Sequence, residues 1–177
     1  MSFNLENLDE EIRGLMLEEL DLDMKNKRLY LSERLNNYGK SEYPEILKNG
    51  MLKGNCETLA AALILENYWN EKEPRRSKKY GLKYVKVPKN AHETLAEGEF
   101  NRFYIRALCR KAIINKNEIE IYRAKQVRNP RKESQIIIGK SLDPKKLLED
   151  LRVKIGVDTV LGMPPGPNSG LSIRIKK

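Results

Sequence analysis

The stretch Gly98–Ile113, GEFNRFYIRALCRKAI, decides how the rest of the chain is organised. When it is stepped at about 100° per residue, as on an α-helix, its apolar residues fall on two arcs and its arginines lie in the seam between them. A helix that is apolar on most sides is typical of the middle of a domain. We therefore expect a long central helix here, which starts at Ala91 behind Asn90 as N-cap unless Gly98 divides it into two.

The three arginines of this stretch, Arg102, Arg106 and Arg110, recur every four residues and support two interpretations. In the first, the row of guanidinium groups binds phosphates, for which the planar arginine fork is well suited. In the second, the row pairs with carboxylates elsewhere in the fold or faces water, because an unpaired buried charge is too costly.

Length and composition indicate a globular protein with a heavily charged surface. The 177 residues are 40% hydrophobic and 33% charged, which suits one compact domain over residues 1–177 that needs no disulfide or metal to build a core. No apolar run is long enough to span a bilayer, and the N-terminus is acidic rather than a signal sequence. We therefore expect a cytoplasmic protein with no membrane partner.

The net charge of +9 is unevenly distributed along the chain. Residues 1–24 hold eight acids and one base, a net charge of −7, so the remaining 153 residues carry +16. A body this basic favours nucleic acid, or another polyanion such as an acidic protein face, as partner. Alternatively, the acidic N-terminal segment, residues 1–24, folds back onto the basic body and neutralises part of it.

Helical periodicity dominates the N-terminal half. Leu8–Leu22 is amphipathic, with Asp9 at its start as N-cap or first-turn acid. Tyr43–Asn49 reads as a short helix with Pro44 in its first turn, and Cys56–Trp69 as a further, strongly apolar helix.

The segment 90–177 combines the central helix with strands. Alternating patterns predict strands at Glu118–Val127, Ser134–Gly139 and Leu171–Ile175, and the pair Asp143-Pro144 predicts a helix that runs to Leu151. The expected fold is therefore α+β: a helical N-terminal half, a long central helix and a small C-terminal sheet of about three strands.

The segment 71–89 interrupts the helical pattern with a cluster of positive charge. Lys72–Lys89 contains eight bases against the single acid Glu73, and its proline, serine and glycine predict a mobile loop with a short strand before Pro88. Tyr80 and Tyr84 interleave with the lysines. Bases with aromatics supply what single-stranded or distorted nucleic acid requires, namely charge for the backbone and π-faces for the bases. The alternative is a solvated surface loop.

These patterns give a set of candidate nucleic-acid-binding residues from three parts of the chain. Tyrosines would stack on bases and the cations would contact phosphates. The candidates are Arg75, Arg76, Lys78, Lys79, Tyr80, Tyr84, Arg102, Arg106, Arg110, Arg128 and Arg131.

No motif in the sequence assigns a catalytic residue, a cofactor or a metal. Phosphate-loop and dinucleotide-binding patterns are missing. Cys56 and Cys109 form no CxxC pair and are expected to be small buried hydrophobes, while His92 is the only histidine. An alternative is a nuclease metal site in which Glu97 and Glu99 converge with Glu118 or Glu120.

The segments GEFNRFYIRALCRKAI, IYRAKQVRNPRKES and LGMPPGPNSGLSIRI resemble bacterial and phage-borne proteins to which no activity is attached. This resemblance covers much of the chain and implies a mobile-element setting, but no site residue. From the residues, we predict a small basic nucleic-acid-binding protein without enzymatic activity. The alternatives are a protein-interaction or structural module, such as a virion component or a homo-oligomer, and a metal-dependent nuclease.

Overall fold

The computed structural model describes residues 3–77, 81–156 and 169–176. The fold is α+β, and the described residues form six α-helices, one short 3-10 turn and two small antiparallel sheets. The helices are α1 (Glu10–Lys25), α2 (Asn37–Lys53), α3 (Cys56–Ala62), α4 (Ala91–Asn115), α5 (Lys132–Ile136) and α6 (Pro144–Val153). The strands are β1 (Lys72–Ser77), β2 (Gly81–Lys86), β3 (Ile119–Arg123), β4 (Ser141–Leu142) and β5 (Leu171–Ile175).

Helix α4 is the predicted central helix, and the other elements pack around it. It runs unbroken for 25 residues, so Gly98 does not divide it into two helices. Helices α1, α3 and α6 and strand β5 contact it on different sides, and most of its side chains from Leu95 to Ala112 are buried. Asn90 precedes the helix but its side chain makes no capping hydrogen bond.

The N-terminal helices are capped by side chains, although two of them differ in length from the prediction. Asp9 caps α1 as expected, accepting a hydrogen bond from the Ile12 amide at 2.8 Å. Helix α2 begins well before Pro44, because Asn36 accepts from the Gly39 amide at 2.8 Å and so starts the helix early. Helix α3 ends at Ala62 rather than at Trp69, and a 3-10 turn, Glu66–Tyr68, follows it.

Within the basic segment 71–89, the described residues form two paired strands, β1 and β2, where the sequence predicts a loop with one short strand before Pro88. Strands β1 and β2 pair antiparallel in a continuous register from Lys72↔Lys86 to Ser77↔Gly81. Pro74 does not prevent this pairing because an edge strand has one row of backbone groups without a sheet partner. Alternation in GLKYVK is the sequence pattern that matches strand β2.

The C-terminal sheet has three strands, as predicted, in the order β4-β3-β5. One of them, β4, comes from a different segment than the sequence predicts. Ser134–Gly139 was predicted as a strand and instead holds the short helix α5 and the turn after it. The Arg131 carbonyl accepts from the Ser134 amide at 3.1 Å and from its hydroxyl at 2.7 Å, which starts a helical turn. Ser141–Leu142 provides the strand next to β3.

One cluster of buried apolar side chains joins the N-terminal helices, α4, α6, β3 and β5. In the part of the chain that the structure describes, no helix combines the length and apolar character that crossing a membrane requires.

Candidate nucleic-acid interface

The β1–β2 hairpin carries five basic residues on its twelve positions: Lys72, Arg75, Arg76, Lys83 and Lys86. Because successive side chains in a strand point to opposite faces, the register divides them between two faces. One face, here called the outer face, carries Lys72, Pro74 and Arg76 opposite Lys86, Tyr84 and Leu82, and all six are exposed.

Like charges lie directly opposite each other on both faces of the hairpin. Lys72 pairs with Lys86 on the outer face, and Arg75 pairs with Lys83 on the other. Opposed like charges destabilise an antiparallel pair by a few tenths of a kcal/mol up to about 1 kcal/mol. A bound polyanion would remove this repulsion.

The hairpin's only acid, Glu73, is occupied by an arginine of the protein body. The Glu73 carboxylate accepts from Arg34 Nε at 2.5 Å and from Arg34 Nη2 at 3.3 Å, whereas Arg75 Nη2 lies 3.8 Å from it. The preceding Asn70 donates from its side-chain amide to the carbonyls of Glu33 and Leu35, both at 3.1 Å. These bonds fasten the base of the hairpin to residues 33–35 and leave Lys72, Arg76, Lys83 and Lys86 without an acidic partner among the described residues.

Two large apolar side chains on the outer face are exposed to water. Leu82 is 60% exposed and Tyr84 is 68% exposed. Tyr84 stands opposite Pro74 and between the Lys72–Lys86 pair and Arg76. The predicted combination of cations with an accessible ring therefore exists at Tyr84.

The arginine row of α4 has a different environment. Arg106 is fully buried, and it donates from Nε to Glu19 at 2.9 Å and from Nη1 to Asp23 at 2.5 Å. Arg102 is 8% exposed and donates to the carbonyls of Leu151 and of Lys154 at the end of α6.

Arg110 lies nearer the surface and donates to Glu18 at 2.6 Å. Ion pairs with acids of α1 are thus formed by Arg106, Arg110 and, from α6, Arg152. Lys111 adds ion pairs to Asp9 and Glu11. The acidic N-terminal helix folds back onto the body and neutralises part of its positive charge, which is the second of the two interpretations of the row.

The charges inside the fold shift the pKa of two acids in opposite directions. Burial raises the pKa of Glu99 to about 7; Asp23 adds to the rise, and the charges of Arg102 and Arg106 oppose it. Burial also acts to raise the pKa of Glu19, but hydrogen bonds and charges from Arg152 and Arg106 outweigh it and leave that pKa below its ordinary value.

The third basic group lies between β3 and α5. Arg128 and Arg131 are exposed, and Arg131 begins α5 as its N-cap residue. Three further candidates, Lys78, Lys79 and Tyr80, fall outside the described residues. The eleven candidates therefore come from three different elements: the hairpin segment, α4, and the segment before α5.

A pocket of about 280 Å³ lies between α3 and the start of α4, lined by Cys56, Glu57, His92, Glu93, Glu97 and Lys125 with two alanines. Burial raises the pKa of the Cys56 thiol to about 12, so the thiol is protonated at neutral pH. Glu97 forms an ion pair with Lys125. Both cysteines are buried, as predicted.

The acids proposed for the nuclease alternative do not share one environment. Glu97 pairs with Lys125, Glu99 is 6% exposed, and Glu120 pairs with Arg174 at 2.8 Å. Across the described ranges, no three histidine, cysteine or acidic side chains are grouped closely enough to hold a metal ion.

Sequence reasoning missed the residues that shape the hairpin. Arg34 and Asn70 lie outside the basic segment, so nothing in their local pattern showed that they hold its base. From the sequence, Lys72, Lys83 and Lys86 contribute to the positive charge of the segment but are not candidate contacts, because their positions on the two faces follow only from the strand register.

Comparison of the chain with protein-family models, with curated protein sequences and with solved structures found no match.

Proposed function

We propose that this protein binds nucleic acid and that the β1–β2 hairpin is the principal contact. The observation that carries the proposal is the hairpin's unbalanced charge: five cations share one acid, and Arg34 occupies that acid. Cations elsewhere in the fold, such as Arg106, are already neutralised by carboxylates. Phosphate groups are the ligands that would neutralise the positive charge of the hairpin.

Within this proposal, Arg75 and Arg76 contact phosphates together with the lysines of both strands, and Tyr84 contacts bases. Exposed Arg128 is a secondary phosphate contact. Arg106 is not part of the interface, because its side chain has no exposed surface and is bonded to two acids. The protein acts as a binding protein rather than an enzyme in this reading, and a mobile-element setting suits it.

Salt dependence of binding tests the proposal directly. Affinity for short labelled oligonucleotides, measured by fluorescence anisotropy, should fall log-linearly with salt, with a slope of about 0.7–0.9 per neutralised phosphate. The double variant Lys72→Ala/Lys86→Ala removes the cross-strand pair of cations on the outer face and should reduce that slope by about 2.

The matched control is Lys145→Ala/Lys146→Ala, which removes the same charge from two exposed positions at the start of α6. The Asp143 carboxylate accepts from the backbone amides of both residues, and alanine keeps these amides. Equal losses in the two double variants would mean that only total charge matters and would contradict the hairpin assignment. Binding that is absent at low salt, or that does not change with salt, would contradict nucleic-acid binding itself.

A further inference from the structure

The outer face of the hairpin has a chemistry that distinguishes between forms of nucleic acid. Pro74 and Tyr84 lie opposite each other in its middle row, Lys72 lies opposite Lys86 on one side of that row, and Arg76 lies opposite Leu82 on the other. Exposed side chains of this size gain stability when a ligand covers them with apolar surface, at roughly 25 cal/mol per Å² buried. Leu82 at 60% and Tyr84 at 68% exposure have most of their surface available for such contact.

A duplex offers little that fits these apolar side chains. Its bases are stacked on each other, so a protein meets phosphates and the polar base edges in the grooves. A two-stranded ribbon can enter the major groove, but there it reads bases through hydrogen-bonding side chains. Pro74 and Leu82 have no such groups, so base edges that meet these two side chains would be left without partners.

A single strand offers both surfaces at once, since its bases expose their π-faces next to the charged backbone. Residues two apart on one strand face lie about 6.6 Å from each other, because the rise per residue is about 3.3 Å. Tyr84 thus has Lys86 on one side along its strand and Leu82 on the other, with Lys72 and Arg76 diagonally across. A base that stacks on Tyr84 therefore keeps its own phosphates within reach of cations on both sides.

We propose that the ligand of the hairpin is single-stranded nucleic acid, which lies across the outer face with a base stacked on Tyr84. This inference rests on the proposed function and specifies its ligand. Base–aromatic stacking is worth about 1–3 kcal/mol per base, which corresponds to about a 5- to 150-fold change in affinity.

The test compares a labelled twelve-nucleotide single strand with a twelve-base-pair duplex of the same sequence, in one buffer, for the whole protein and three variants. Tyr84→Ala should lose about 5- to 150-fold in affinity for the single strand and less than about twofold for the duplex. Tyr84→Phe keeps the ring and should bind the single strand like the unaltered protein. Tyr38→Ala removes another half-exposed tyrosine, located on α2, and should not change binding.

A strand that carries 2-aminopurine at successive positions reports stacking directly, because its fluorescence changes when the base stacks on a ring. Tyr84→Ala should abolish that change, and Tyr84→Phe, which keeps the ring, should retain it. Salt-dependent binding in which the duplex is held as tightly as the single strand, or in which Tyr84→Ala weakens both equally, would overturn this inference and leave the proposed function standing. Failure to bind either form would overturn both.

Discussion

Arg106 and Asp23 form a bidentate ion pair in the interior of the fold, with Nη1 at 2.5 Å from one carboxylate oxygen and Nη2 at 2.9 Å from the other. The Arg106 side chain is fully buried, and its guanidinium also lies 4.9 Å from the centre of the Phe103 ring. The pair joins α1 to α4 and supplies the charge balance that a buried cation requires.

Arg106→Ala should therefore destabilise the protein strongly. The substitution leaves Asp23 buried without its partner and opens a cavity, and loss of one member of a buried pair costs about 3–5 kcal/mol. Urea unfolding followed by circular dichroism gives the free energy of unfolding for both proteins.

Arg110→Ala is the matched control, one helical turn further along α4. Its partner Glu18 is 62% exposed, and Glu19 keeps its bonds to Arg106 and Arg152 when Arg110 is removed. We expect a loss of about 1 kcal/mol or less. Similar losses for the two variants would show that the buried pair does not stabilise the junction of α1 and α4.

Glu73→Ala should loosen the hairpin without unfolding the body. The Glu73 carboxylate links β1 to Arg34. Repulsion within the two like-charge pairs of the hairpin opposes the pairing of β1 with β2. Hydrogen exchange should become faster for amides of β1 and β2 and stay unchanged for amides of α4. Glu71→Ala removes an exposed acid two residues earlier and should leave the hairpin's exchange unchanged; equal acceleration in both variants would argue against the link between Glu73 and Arg34.

The sequence predicts those parts of the fold that depend on local patterns. The period of Gly98–Ile113 identified α4, the Asp9 and Asp143 caps marked α1 and α6, and the alternation in Leu171–Ile175 identified β5. Each of these signals lies within the element that it predicts or directly before it.

The misassigned elements depend on residues that are distant in the chain. The run of isoleucines in Ser134–Gly139 has strand composition, yet β3 pairs with Ser141–Leu142 instead, and Ile136 remains 68% exposed. Proline, serine and glycine in segment 71–89 predict a loop, and the contact that holds the base of the hairpin involves Arg34, which is 39 residues away from Glu73. Likewise, the sequence could not decide whether the arginine row of α4 faces solvent or acids, since the acids lie more than 80 residues earlier.

Gly98→Ala should stabilise the protein. Gly98 lies inside α4, and a Cβ atom there would meet nothing within 4 Å. Alanine lowers the entropy of the unfolded chain and favours the helix, which together contribute about 0.5–1 kcal/mol. A rise in the melting temperature checks this expectation.

Gly39→Ala is the contrasting substitution in α2, because a Cβ there would lie 2.2 Å from the Tyr68 carbonyl oxygen. That backbone atom accepts from the Asn36 amide and cannot move freely. This variant should lose stability, although helix propensity alone predicts a gain. A gain at both positions would mean that the packing of α2 against residues 66–68 tolerates the displacement.

The buried Glu99 should make stability fall as pH rises from 5 to 8. Burial raises its pKa from 4.5 to about 7, so between these two pH values the folded chain holds a proton that the unfolded chain has released. Raising the pH then favours unfolding, and the contribution of Glu99 is present below the unfolded pKa and lost as pH passes through the folded one. The acids Glu19 and Asp9 have lowered pKa values, so their contributions are lost only as pH falls below the ordinary carboxyl range.

Glu99→Gln removes the titrating group while keeping its size, and it should change stability at pH 5 by no more than about 1 kcal/mol. At pH 8 the variant should exceed the unaltered protein by roughly 3 kcal/mol, since the pKa rises from 4.5 to about 7 and each pKa unit corresponds to about 1.36 kcal/mol. Urea unfolding at both pH values measures the difference, and parallel pH profiles for the two proteins would rule Glu99 out as its source.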